Sequence, residues 1–130
     1  MPTRPLSPHL GVYKFTYTMV TSILNRITGL GLSLGLLLLV YWLAAVAAGE
    51  RSYARALSLL STPGVRIIYA AIVIAFCYHF SAGIRHLIWD TGRGLERSQA
   101  RASARVVLAV SVLLMLLIGY WLWVGGARAP

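Results

Sequence analysis

Ile27-Thr-Gly-Leu-Gly-Leu-Ser-Leu-Gly-Leu-Leu-Leu-Leu-Val-Tyr-Trp-Leu-Ala-Ala-Val-Ala-Ala-Gly49 contains no Asp, Glu, Lys or Arg. A run of about 20 such residues is long enough to cross a hydrocarbon core of about 30 Å as a helix, and a helix satisfies its own backbone polar groups there. Two further stretches are equally free of charge, Ile67 to Ile84 and Val106 to Ala127. The chain has 130 residues, is 58% hydrophobic and only 12% charged, which does not suit an ordinary soluble fold. The sequence therefore predicts an all-α integral membrane protein, a single domain over 1–130 with three transmembrane helices over about residues 22–48, 65–89 and 105–126.

Working outward, the cations set an expected orientation, because cytoplasmic flanks retain Lys and Arg. Arg4, Lys14 and Arg26 precede the first span, and Arg85, Arg93, Arg97, Arg101 and Arg105 gather between the second and third. The other side holds only Arg51, Arg55, Arg66 and Arg128. The N-terminus is thus expected in the cytoplasm, and the net charge of +9 reads as a topology signal, with nucleic acid not expected as a partner. Pro5 and Pro8 make residues 1–14 an extended cytoplasmic arm. No apolar run with a small-residue cleavage site follows it, and it lacks an amphipathic presequence. A bacterial inner membrane is the expected address.

The connection from Glu50 to Pro63 reads as a short loop, punctuated by Pro63-Gly64. Tyr41, Trp42, Trp121 and Trp123 suit interfacial anchors. Gly31 and Gly35 permit close helix approach. Cys77, the one cysteine, has no thiol partner and reads as a small core residue. Arg93, Arg97, Arg101 and Arg105 recur every four residues and would ridge a helix. That ridge suits a headgroup-facing surface in anionic lipid or a docking surface for a soluble partner.

Ionisable groups are costly inside a bilayer and point to chemistry. His79-Phe-Ser-Ala-Gly83-Ile-Arg85-His86-Leu-Ile-Trp89-Asp90 concentrates them at the end of the second span. At 100° per residue, His79, Gly83, His86 and Asp90 fall within roughly 60° on one helical stripe. His79 suits three roles: a hydrogen-bonded core residue, a proton relay, or an axial ligand of haem iron. For the last, Gly83 removes the side chain that would obstruct a flat macrocycle. His86, about 10.5 Å along the axis, and Arg85, near the membrane edge, would face the propionates. A six-coordinate haem at His79 would need its second ligand from another chain, because the remaining histidine, His9, lies in the arm. Ser22 and Arg26, one turn apart, share a face with Gly29 and Ser33. They suit either hydrogen-bond donors to quinone carbonyls or a capping serine and a positive-inside arginine.

These pieces resemble the cytochrome b membrane-anchor subunit of succinate dehydrogenase, in respiratory complex II. The likeness is carried by Arg4-Pro5-Leu6-Ser7-Pro8-His9-Leu10, by Ser22-Ile23-Leu24-Asn25-Arg26-Ile27-Thr28-Gly29, and by His79-x-x-x-Gly83-Ile84-Arg85-His86-Leu87-x-Trp89-Asp90-x-Gly92. The resemblance implies that His79 ligates a haem b shared with a histidine of a second small membrane-anchor subunit. It implies that Ser22 and Arg26 line a ubiquinone site near the iron-sulfur subunit, and that His86 lies near the propionates. Asn25 stands where the family often carries a histidine. On this resemblance the flavoprotein and iron-sulfur subunits oxidise succinate, and this chain anchors them in lipid without catalysing alone. Nothing in it resembles a dinucleotide fingerprint or a cysteine set for an iron-sulfur cluster. Fumarate reductase is a near neighbour. A proton-conducting channel and a cofactor-free anchor are the other readings the residues admit.

Overall fold

The computed structural model describes residues 17–128, with side chains to residue 125. The arm over 1–14, with Arg4, His9 and Lys14, lies outside the described residues. Four helices follow one another: α1 over Tyr17–Ala47, α2 over Glu50–Leu60, α3 over Pro63–Asp90 and α4 over Arg97–Arg128. Among the described residues there is no strand. The three long helices are each long and apolar enough to cross a membrane, as the uncharged stretches predict. Leu30, Leu37, Ile67, Leu87, Leu116 and Trp121 are largely exposed. Apolar surface on this scale demands cover by lipid or protein.

The segment expected to be a loop contains α2 instead. Its residues Glu-Arg-Ser-Tyr-Ala-Arg-Ala-Leu-Ser-Leu-Leu are mostly good helix formers, and Glu50 in the first turn favours the positive end of the helix dipole. Ala56 and Leu60, one turn apart, are buried. The helix is therefore amphipathic and lies against α1 and α3. Ser61 and Thr62 connect it to α3, which opens with Pro63 in its first turn, where a missing N–H costs no helical bond.

α3 is the central element and packs against both α1 and α4. Its buried face is Cys77, Tyr78, Ser81, Ala82 and Arg85, and Tyr78 and Ala82 form a core with Val107 of α4. Ala104 and Ser111 of α4 are also buried, so small residues bring these helix axes close. The Tyr78 hydroxyl donates to the Thr21 carbonyl at 2.7 Å, fixing the register of α3 against α1. Gly35 packs on Ile72, where an added Cβ would sit 3.2 Å from the side chain, whereas Gly31 meets nothing. Between α3 and α4, Gly94 takes φ +76°, the left-handed region that side chains disfavour. Its carbonyl accepts from Trp89 Nε1 at 3.1 Å, so the last turn of α3 pins the connection.

Candidate functional site

His79, Gly83, His86 and Asp90 follow the 3.6-residue period of α3, and their stripe lies roughly a third of a turn from the buried face. The first three are half-buried and Asp90 is exposed. The stripe thus runs beside the helix seam and is only partly covered by this chain. An added Cβ at Gly83 would meet nothing within 4 Å, so one turn beyond His79 the face is open.

His79 reaches α1. Its Nδ1 lies 3.1 Å from the Asn25 carbonyl and 3.3 Å from Thr28 Oγ1. The carbonyl can only accept, so Nδ1 donates and carries the ring proton. In the neutral ring, Nε2 then keeps its lone pair. The imidazole also lies against Gly29, where a Cβ would stand 2.9 Å from Cε1. Gly29 shares a helical face with Ser22, Arg26 and Ser33. The structure therefore brings the α1 polar face and the α3 histidine stripe to one side of the α1 and α3 pair. Ser22 on that face is half-buried and Arg26 is exposed, while the Ser33 hydroxyl turns back to the Gly29 carbonyl at 3.1 Å.

Arg85, expected near the membrane edge and facing the propionates, is instead enclosed by this chain's own helices. It is 5% exposed, because position 85 continues the face of Tyr78, Ser81 and Ala82. One terminal nitrogen donates to the Ala100 carbonyl of α4 at 3.1 Å, and the other lies 3.5 Å from Thr21 Oγ1 of α1. The Thr21 hydroxyl spends its own proton on the Thr18 carbonyl. The guanidinium stacks 3.9 Å from the Trp89 ring centroid, and its Nε is buried with no hydrogen-bond partner. Arg85 joins three helices, and its polar contacts go to α1 and α4.

His86 stays on the open stripe. Its Nδ1 donates to the Ala82 carbonyl at 2.7 Å, and its ring meets Trp89 edge-on, with centroids 5.3 Å apart. Cys77 is a buried free thiol. Among the described residues, no group of three or more His, Cys, Asp or Glu could hold a metal ion.

The structure also forms a cleft that the sequence reading misses. It measures about 960 Å³ and is lined by Tyr17, Thr18, Trp89, Leu95, Arg97, Ala100, Arg101 and Arg105. The every-fourth arginine ridge is the legible signal, but the approach of Tyr17 and Thr18 depends on how α1 crosses α4. Ser22 and Arg26 do not line it.

Fold and site together define a three-span membrane subunit with one histidine held between its first two long helices and open on the side facing away from this chain. The chain belongs to the succinate dehydrogenase/fumarate reductase transmembrane subunit family, whose model matches residues 1–118. It is thus a non-catalytic subunit of an enzyme complex. The succinate dehydrogenase cytochrome b556 subunit of Paracoccus denitrificans is 41% identical over 114 residues, 88% of each chain. That of Rickettsia prowazekii (strain Madrid E) is 37% identical over 115 residues, 88% of this chain and 90% of the relative. The mitochondrial cytochrome b560 subunit of Sus scrofa is 40% identical over 113 residues, 85% of this chain and 66% of the longer relative.

Proposed function

We propose that this chain anchors a succinate:quinone oxidoreductase in a bacterial inner membrane with its N-terminus in the cytoplasm. In this reading it supplies one axial ligand to a haem b and part of a ubiquinone-reduction site. The flavoprotein and iron-sulfur subunits oxidise succinate on the cytoplasmic side, and a second small anchor subunit covers the open stripe. Family membership supports the assembly, and the cytochrome names of the relatives support haem. The excess of cations in the N-terminal flank and between α3 and α4 supports the orientation.

One observation carries the ligand assignment: the hydrogen bond from His79 Nδ1 to the Asn25 carbonyl. It fixes the tautomer that leaves Nε2 able to bind iron, as metal-bound histidines require. The open space at Gly83 on the same stripe fits a flat macrocycle. His79 would hold the iron from this side, and the second anchor would supply the opposite ligand. When bound, haem supplies a one-electron carrier inside the membrane. His86, with Nδ1 turned to its own helix, is the residue of this chain assigned to the propionates. Arg85, buried and directed to α1 and α4, acts from behind by holding Trp89 and α3 in place. Ser22 and Arg26 are assigned to the quinone carbonyls, Arg26 as the charged donor that stabilises reduced, anionic quinone.

The test is the absorption spectrum of the purified four-subunit assembly. A low-spin b-type haem is expected, and it should disappear in His79→Ala. An assembly that keeps its haem in that variant would remove ligation from His79. A proton-relay reading instead requires pH-driven flux through this chain alone in liposomes.

A further inference from the structure

The polar groups around His79 are arranged to do more than fill space. The Asn25 carbonyl accepts a hydrogen bond from Nδ1–H. Thr28 lies within reach of the same nitrogen and spends its own hydroxyl proton on the Leu24 carbonyl at 2.7 Å. Its oxygen therefore also offers a lone pair to Nδ1–H. Two acceptors three residues apart on one helical turn thus select the same tautomer. Gly29 completes the arrangement: a methyl group there would stand 2.9 Å from Cε1 and press on the ring. The ring cannot slide away freely, because Tyr78, its neighbour on α3, is tied to Thr21 of α1.

We infer that Asn25, Thr28 and Gly29 form a cradle that sets the tautomer, ring plane and basicity of His79, and through it the potential of the bound haem. The inference rests on the haem-ligand reading above and concerns positioning residues, none of which touches the iron. Hydrogen bonds from the distal nitrogen of a ligating imidazole make its metal-binding nitrogen more basic. Such bonds are one of the levers by which a protein tunes haem potential. A more basic ligand favours the ferric state, so weakening the cradle raises the potential. The cradle includes Arg26 within its turn, so the same backbone segment positions the haem ligand and the cation assigned to quinone.

The experiment uses the intact complex, with haem content measured per assembly, a potentiometric titration, and the low-spin electron paramagnetic resonance spectrum. Thr28→Val keeps the shape of the side chain and removes the acceptor. It should retain haem, raise the midpoint potential and shift the low-spin g-values, and Thr28→Ser should restore both. Gly29→Ala should change the g-values or lower haem occupancy by pressing on the ring while the subunits remain assembled. Wild-type potential and g-values in both Thr28→Val and Gly29→Ala would overturn the cradle. Should Gly29→Ala fail to assemble, the Thr28→Val and Thr28→Ser pair decides the matter by itself. Retention of haem in His79→Ala marks a different failure, that of the ligand assignment beneath it.

Discussion

A guanidinium on the last polar turn before an apolar helix interior can meet a carbonyl oxygen arriving from the lipid. Arg26 holds that position, exposed and three residues before the glycine that seats His79. Arg26→Ala should lower quinone reduction by about 10- to 100-fold, the value of one charge-assisted hydrogen bond. Succinate oxidation with a soluble artificial acceptor should persist, because that chemistry lies in other subunits. Unchanged quinone kinetics would move the site elsewhere, with the arginine-lined cleft at Tyr17 and Arg101 as the next place to look. At this scale the stripe of His79, Gly83 and His86 is legible from a 3.6-residue period. The contact between His79 and Asn25 is not, because the registry of α3 against α1 depends on packing between residues far apart in sequence. Arg85 misleads a reader for a related reason. Its charge suggests water, yet the same period places it beside Tyr78 and Ala82 on the buried face.

Among the elements, α3 serves as the hub, and Arg85, like Tyr78, ties it to both neighbours. Loss of its links to Ala100 and Thr21 and of its stacking on Trp89 should cost on the order of 1–3 kcal/mol. A buried cation also carries a desolvation penalty that an apolar side chain of similar length avoids. Arg85→Ala should therefore lower the thermal midpoint of the solubilised complex more than Arg85→Met. Equal losses would assign the stability to the polar links alone and leave packing of the stem without a role. The three long helices follow from uncharged length, which any chain crossing a bilayer must supply. α2 escapes that criterion, being too short to span and carrying Glu50, Arg51 and Arg55. Its signal is the apolar spacing of Tyr53, Ala56 and Leu60, and it is convincing only once a surface exists for that face to cover.

For the whole molecule, the decisive feature is an unfinished face. His79 is held through its Nδ1 by oxygen acceptors of α1, and the stripe beyond it, with Gly83 meeting nothing, is left open. A haem bound there by this chain alone would have one axial ligand and one protein wall. It would dissociate more readily than a haem closed between two chains, since much of its apolar surface would remain unburied. Expressed without its partners, this chain should therefore show no stable low-spin b-type spectrum after purification. Co-expression with the second anchor subunit should give one haem per pair, without the soluble subunits. One haem per two copies of this chain alone would instead mean that a second His79 completes the site, and the assignment of a different partner would fall.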